Sequence, residues 1–132
     1  IIAGIDVNGF IIAKKISHEI RKISDINVKL CNVKIDKKNP LNDISTSLNF
    51  EEYQNKYIVV IDDVLNSGAT LMYSVKYFLN TKIKGLKTAV LVDRNHKKYP
   101  IKADFKGLSL STSIQSKVEV VIDEKKIEAF LV

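Results

Sequence analysis

Residues 59–71 read VVIDDVLNSGATL and bring two kinds of chemistry into one short segment. Counting Ile58 just before the segment, four apolar residues lead directly into two adjacent acids, Asp62 and Asp63. Carboxylates repel phosphates, but they suit the hydroxyl groups of a sugar or a hard cation such as Mg²⁺. The pair therefore predicts a site for a diol, a cation or both.

The polar stretch that follows the two acids has the features of a phosphate cradle over 65–70. Backbone N–H groups just before a helix bind anions, and the helix dipole favours negative charge there. Gly68 allows a close approach of the backbone, and Ser67 and Thr70 add hydroxyl groups. A phosphate beside a diol describes a ribose 5-phosphate. The alternative is that the acids simply end a strand and that Ser67 or Thr70 caps a helix.

The elements that position this segment are predicted from the apolar pattern. Strands are expected over 1–5, 28–35, 57–61, 86–92 and, as the last strand, 118–122, and helices over 9–24 and 71–79. Residues 36–56 form the longest irregular stretch, and long loops are often lids or binding loops. This order predicts an α/β domain with a mainly parallel sheet, which binds ligands at the carboxyl ends of its strands.

Composition sets wider limits on function. The chain has 132 residues, enough for one domain, and its net charge of +6 favours phosphorylated ligands or nucleic acid, with a solvated lysine-rich surface as the alternative. No apolar run approaches the roughly 18 residues of a membrane span. The single cysteine, Cys31, cannot form an internal disulfide, so a reducing cytoplasm is expected.

Three stretches resemble one family. The string over 59–71 resembles the phosphoribosyl pyrophosphate (PRPP) motif of type I phosphoribosyltransferases. The stretch LVDRNHKKYPIKADF over 91–105, and Thr112-Ser113 with Lys117 to Glu124, resemble the bacterial pyrimidine operon attenuation proteins that double as uracil phosphoribosyltransferases. Residues 4–9 resemble the early pyrophosphate loop of that family.

The resemblance implies a three-layer α/β fold with a mainly parallel central sheet and a small hood. Residues 1–132 would form a single domain without the N-terminal helix of the family, since the chain begins at Ile1 inside an apolar run. The protein would be a cytoplasmic homodimer or higher homo-oligomer. It would transfer ribose 5-phosphate from PRPP to a nucleobase, uracil being favoured, and release pyrophosphate.

The resemblance also assigns roles at the acids and the cradle. Asp62 and Asp63 would hold the ribose hydroxyls and Mg²⁺. Segment 36–42 would be a lid that excludes water, from which Lys37 and Lys38 reach the pyrophosphate. The residues expected to bind the 5′-phosphate of PRPP are Val64, Leu65, Asn66, Ser67, Gly68, Ala69 and Thr70.

The pyrophosphate loop departs from the family pattern. It would consist of Asp6, Val7, Asn8 and Gly9, and it carries a negative charge at Asp6 where basic residues are usual. Asn8 and Ala69 each stand where arginine is usual. Lys14 and Lys15, or a Mg²⁺ ion on Asp6, are the expected compensation. A member of the family that binds its ligand without turnover therefore stays open.

A third group of residues is expected near the base and on a basic loop. By resemblance, Val92, Asp93 and Arg94 would lie near the base. The basic residues His96, Lys97 and Lys102 would contact RNA, or would form a solvated loop. Three functions stay open on this evidence: a phosphoribosyltransferase, an RNA-binding regulator of pyrimidine genes, and a binding protein without turnover. RNA binding would weaken steeply with salt.

Overall fold

The computed structural model describes residues 1–123 and 125–132 and contains a six-stranded sheet and a separate two-stranded sheet. The elements are β1 (Ile2–Ile5), α1 (Asp6–Ile23), β2 (Leu30–Lys34), β3 (Ser45–Thr46), α2 (Phe50–Tyr53), β4 (Tyr57–Leu65), α3 (Ala69–Phe78), β5 (Gly85–Asp93), β6 (Phe105–Ser109), β7 (Val118–Ile122) and β8 (Ile127–Leu131). Glu124, at the end of the stretch 117–124 noted above, lies outside the described residues.

The large sheet has the order β3-β2-β1-β4-β5-β6 and is parallel except for β3, which pairs antiparallel with β2. β4 lies between β1 and β5, so its carboxyl end is near the middle of the sheet. β7 and β8 form an antiparallel pair outside this sheet. The predicted α/β fold with a mainly parallel central sheet is confirmed.

Two apolar clusters on opposite faces of the sheet hold the helices. Successive strand residues point to opposite faces, so Ile2 and Ile61 pack with Ile12 of α1 on one face. Residues Ile5 and Val60 join the other cluster, which contains Leu71 and Phe78 of α3 and Tyr53 of α2. The continuous apolar run of β4 is thus covered on both sides, as expected of a parallel strand.

Two element boundaries next to the site differ from the sequence prediction. α1 begins at Asp6, so the residues expected to form a pyrophosphate loop are its first turn, with a left-handed φ of 52° at Asp6. β4 continues beyond the apolar run to Leu65, because its pairing with β5 extends to Leu65 and Asp93. The two acids therefore lie inside a strand rather than after it.

Several elements were not predicted. Residues 36–56 contain β3 and α2, and α2 begins with a capping box between Asn49 and Glu52. The prediction that 118–122 is the last strand is wrong, because β8 follows it and pairs with it. β6 escaped prediction because it is an edge strand whose five residues are all exposed. Within the described ranges, none of the helices has the length and apolar character to cross a bilayer.

The contact between β1 and α1 depends on Gly4. A Cβ atom there would lie 2.4 Å from the Gly9 carbonyl oxygen and 2.4 Å from the Phe10 Cα, both of them backbone atoms. We expect Gly4→Ala to displace α1 and to lower the free energy of unfolding by about 3 kcal/mol, measured by urea denaturation.

Gly85→Ala is the matched control. A Cβ at Gly85 meets only the ring of Tyr57, 2.9 Å away, and that side chain is exposed and free to move. We expect its free energy of unfolding to change by less than about 1 kcal/mol. Equal losses in the two variants would contradict the argument.

Candidate functional site

The two acids of β4 meet a lysine from the segment predicted as a lid. The Lys37 Nζ lies 3.2 Å from Asp62 Oδ1 and 3.7 Å from Asp63 Oδ1. Asp62 is buried and Asp63 is half-buried, whereas Lys37 retains 42% exposure of its side chain. The structure therefore brings together the three residues predicted to be catalytic, although Lys37 precedes Asp62 by 25 positions.

Asp63 is also held by the first turn of α1. The Asn8 Nδ2 donates to Asp63 Oδ2 at 2.9 Å and to the Val120 carbonyl oxygen at 3.2 Å. The backbone N–H of Val64 donates to Asp63 Oδ1 at 2.8 Å. The position where the family pattern led us to expect arginine thus contacts a site carboxylate through an amide.

The two carboxylates differ in acidity. Burial, reinforced by the negative charge of Asp63, raises the pKa of Asp62 to about 7 although Lys37 opposes the shift. Burial alone would also raise the pKa of Asp63, but the hydrogen bond from Asn8 and the charge of Lys37 hold it below its ordinary value. Burial alone would lower the pKa of Lys37, and the two carboxylates raise it instead. Below about pH 7 Asp62 therefore holds a proton while Asp63 remains ionised.

The segment predicted as a phosphate cradle has a left-handed residue and a helix start. Gly68 has φ of 91°, and α3 begins at Ala69, so the N–H groups of the first turn have no acceptor within the helix. Ser67 Oγ accepts one of them, from Ala69, at 3.2 Å. A Cβ at Gly68 would lie 2.6 Å from Ile101 Cγ2, so the turn is closely packed from behind.

One cleft contains both parts of the site. Its lining includes Lys37 and the two acids, together with the predicted cradle residues Val64, Leu65, Asn66, Ser67, Gly68 and Thr70. Val64 and Leu65 are buried strand residues, whereas Asn66 is exposed. Ala69 is not part of this lining, which is completed by Leu71 and Val90.

The remaining residues of the predicted pyrophosphate loop are more peripheral. Asp6 Oδ1 accepts a hydrogen bond from the Ile35 backbone N–H at 3.4 Å, and its charge contributes to the raised pKa of Lys37. Val7 is 72% exposed, and Gly9 is buried against β4.

The two lysines predicted to compensate for the uncharged side chains of Asn8 and Ala69 lie elsewhere. The Lys14 Nζ is 5.1 Å from the centroid of the Phe10 ring. Lys15 lines a groove between α1, β5 and β6. Among the described residues, Lys37 is the basic side chain that contacts the carboxylate pair.

Of the residues predicted to lie near the base, Val92 and Asp93 end β5 and Arg94 follows it. Val92 and Asp93 are buried, and Asp93 Oδ2 lies 3.8 Å from the Lys97 Nζ and 3.7 Å from the Lys106 Nζ. The predicted RNA contact Lys97 is thus paired with an acid. The His96 Nε2 forms a hydrogen bond with the Thr112 carbonyl oxygen, and Lys102 is exposed.

Arg94 has contacts that the sequence did not indicate. Its guanidinium is buried and donates to Asn66 Oδ1 at 2.8 Å and to Thr112 Oγ1 at 3.1 Å. It also donates to the carbonyl oxygens of Ser113 and Ser116. Because Asn66 and Arg94 are 28 positions apart, no local pattern could have revealed this contact.

The basic loop and the cradle also share backbone hydrogen bonds. The N–H groups of Lys98 and Tyr99 donate to the Ser67 carbonyl oxygen at 2.7 Å and 3.1 Å. Any movement of the cradle turn therefore affects the segment that carries the exposed lysines.

The donor set suits Mg²⁺ that arrives with a phosphorylated ligand. Among the described residues, no group of three or more His, Cys, Asp or Glu side chains is placed to hold a metal ion. Mg²⁺ is, however, commonly held by one or two carboxylates together with the phosphates of the substrate. Asp62 and Asp63 supply those carboxylates.

Residues 1–125 match the family model described as a phosphoribosyl transferase domain. The "Bifunctional protein PyrR" of Streptococcus thermophilus is 30% identical over 94% of this chain and 73% of its own length. The protein of the same name from Leuconostoc mesenteroides is 32% identical over 94% of this chain and 75% of its own length.

Solved structures show the same fold. A hypoxanthine phosphoribosyltransferase of Trypanosoma cruzi superposes with a TM-score of 0.71 and 14% identity, over 89% of this chain. The structure of that enzyme in complex with its product IMP gives a TM-score of 0.73, also at 14% identity, over 85% of this chain. The chain spans 63% and 54% of the lengths of those two solved chains, respectively.

The raised pKa of Asp62 predicts an unusual pH dependence of stability. The folded protein holds the Asp62 proton up to about pH 7, whereas an unfolded aspartate releases it near pH 4. The free energy of unfolding therefore falls as pH rises through this window. Between pH 5 and pH 8, we expect the free energy of unfolding of Asp62→Asn to fall by about 1–3 kcal/mol less than that of the wild-type protein, measured by urea denaturation.

Asp25→Asn is the control, because Asp25 is exposed and outside the cleft, and it should retain the wild-type pH dependence. The lowered pKa of Asp63 acts below this window and the raised pKa of Lys37 acts above it. Identical pH dependence in Asp62→Asn and the wild-type protein would contradict the assignment.

Proposed function

The chain belongs to the phosphoribosyltransferase domain family, and on that basis we propose that it transfers ribose 5-phosphate from PRPP to a nucleobase, uracil being favoured. The observation that carries the proposal is one cleft lined by a carboxylate pair and by the turn before α3. The match to proteins named "Bifunctional protein PyrR" supports the choice of a pyrimidine base.

The proposed reaction breaks the bond between C1 of the ribose and the pyrophosphate oxygen, and forms a bond from C1 to a base nitrogen. Pyrophosphate leaves with the electron pair, and the base nitrogen loses its proton to solvent. The transition state has the character of an oxocarbenium ion, so positioning and charge stabilisation are the tasks of the protein. Mg²⁺, when bound, would neutralise part of the pyrophosphate charge.

Each part of the cleft has one task in this proposal. The turn from Asn66 to Thr70 and the first turn of α3 bind the 5′-phosphate. Ionised Asp63 accepts hydrogen bonds from the ribose hydroxyls, and Asp62 accepts them once it has lost its proton. Both carboxylates would hold the Mg²⁺ that accompanies PRPP. Lys37 moves from the carboxylates to the departing pyrophosphate.

The lid that carries Lys37 is held as a compact turn. Asp36 Oδ1 accepts hydrogen bonds from the N–H groups of Lys38 at 2.9 Å and Asn39 at 3.2 Å. Asp36 Oδ2 accepts another from Asn42 Nδ2 at 2.9 Å. The turn thus moves as a unit, which is suited to excluding water from the cleft during transfer.

The wider setting is also part of the proposal. Residues 1–132 would act as a single phosphoribosyltransferase domain in the cytoplasm, where the buried free thiol of Cys31 stays reduced. A homodimer or higher homo-oligomer is supported by large apolar side chains exposed at the end of α3 and on β6, namely Leu79, Phe105 and Leu108.

PRPP binding tests the proposal first. We expect saturable calorimetric binding of PRPP with Mg²⁺ and a loss of about 100-fold or more in affinity in Asp62→Asn/Asp63→Asn, because charge-assisted hydrogen bonds to the ribose are removed. Asp25→Asn serves again as the control. Equal affinity for PRPP in the double variant and the wild-type protein would show that the carboxylate pair does not bind PRPP.

Product formation from PRPP and uracil then separates turnover from binding. Binding without product for any base would favour a member of the family that binds without turnover. The absence of basic residues in the first turn of α1 supports that alternative.

A second candidate function is RNA binding by the loop over 94–102. It is favoured by the hydrogen bonds from Lys98 and Tyr99 to Ser67, which join this loop to the cradle. Lys98 and Lys102 are exposed on it. A nucleotide in the cradle would thereby bias the conformation of the RNA-binding surface.

Salt dependence checks this second function. We expect binding of structured RNA to weaken by about 10-fold or more between 50 and 200 mM salt in filter-binding assays. Lys102→Gln should weaken it further, whereas Lys125→Gln, an exposed lysine between β7 and β8, should not. Binding that is insensitive to salt would exclude a phosphate-contacting surface.

A further inference from the structure

Arg94 is a buried cation whose described partners are all neutral. The residue is 9% exposed, and its guanidinium donates to an amide oxygen, a hydroxyl and two backbone carbonyl oxygens. Among the described residues, no carboxylate lies within 4.0 Å of it. The adjacent acid, Asp93, is directed at Lys97 and Lys106 instead.

A buried charge without a counter-ion is costly, and this charge contacts a residue of the cradle. Arg94 touches the cleft through Asn66, which is an exposed lining residue of the cleft. An anion in the cleft would supply the negative charge that Arg94 lacks. The burial of Arg94 therefore becomes favourable when the cradle holds a phosphate.

The contact also determines how the Asn66 side chain faces a ligand. An amide has an acceptor end and a donor end, and Arg94 occupies the acceptor oxygen Oδ1. The Nδ2 group donates to no acceptor among the described residues, so it is the end left for a ligand. Without Arg94 the amide could rotate and turn its oxygen toward the anion, which would repel it.

We propose that Arg94 is a positioning residue of the phosphate cradle, which orients the Asn66 amide as a donor and supplies the fixed positive charge behind it. This inference deepens the proposed function and rests on it. It accounts for how a cradle with alanine at position 69 attracts phosphate. The same guanidinium donates hydrogen bonds to residues within 112–116, so Arg94 connects the cradle to that segment.

The test is a calorimetric cycle with ribose 5-phosphate as the probe, using the wild-type chain, Asn66→Ala, Arg94→Lys and the double variant. We expect each single variant to weaken binding about 10-fold, because a lysine cannot reproduce the planar fork of arginine and an alanine offers no donor. The double variant should be little weaker than the worse single variant, since Arg94 acts through Asn66.

Two comparisons separate positioning from a general structural role. Pyrophosphate binding with Mg²⁺ should be unchanged in all variants, because it depends on Lys37 and the carboxylates rather than on the cradle. Arg21→Lys is the matched control: the chain's other arginine is exposed on α1 and donates to the Val28 carbonyl oxygen at 3.3 Å. It should leave both ligands unaffected.

The outcomes are distinct. Unchanged ribose 5-phosphate affinity in Asn66→Ala, losses that simply add in the double variant, or equal losses for pyrophosphate would each overturn the inference. If Arg94→Lys fails to fold, Asn66→Ala decides alone, since it leaves the other partners of Arg94 in place. A wild-type chain that binds ribose 5-phosphate but forms no product from PRPP would defeat the proposed function and leave this inference standing.

Discussion

Two adjacent carboxylates at the buried end of β4 impose the condition that the rest of the site must satisfy. Two negative charges so close together cannot both be buried without cost, and the protein answers in two ways. Asp62 keeps its proton up to about pH 7. Asp63 is ionised, accepts hydrogen bonds from the Asn8 amide and the Val64 N–H, and lies beside the positive charge of Lys37. The first turn of α1 and the lid are therefore both anchored on β4.

In the proposed function, this arrangement links ligand binding to the position of the lid. Lys37 stands against the carboxylates, where the hydroxyls of a ribose or a metal ion would otherwise be held. A ligand that takes those carboxylates must displace the ammonium group, which is then free to follow the negative charge of the ligand. Ligand binding would also change the protonation of Asp62. The cleft gives up the Asp62 proton when the two carboxylates accept a diol or a cation.

The fold and the centre of the candidate site could be predicted from the sequence, because the patterns that indicate them lie in contiguous residues. Long apolar runs marked the buried parallel strands, and one uninterrupted string carried the acids and the cradle. What it could not predict depends on contacts between distant segments. The start of α1 depends on a left-handed Asp6, and the length of β4 depends on its pairing with β5. β6 and β8 are short and mostly exposed, and the contacts of Asn8 and Arg94 join residues 55 and 28 positions apart.

The same distinction applies to the supply of positive charge. The chain has no basic residue in the first turn of α1 or at position 69. Coulomb attraction depends on distance and on the surrounding dielectric, however, and not on position in a motif. Lys37, on the exposed segment predicted as a lid, lies at the carboxylates. Arg94 is buried and contacts the cradle residue Asn66. Salt screens the first far more than the second. The attraction of the cradle for phosphate should therefore persist at salt concentrations that weaken the attraction between Lys37 and pyrophosphate. In the proposed reaction, this difference favours retention of the sugar phosphate while the leaving group departs.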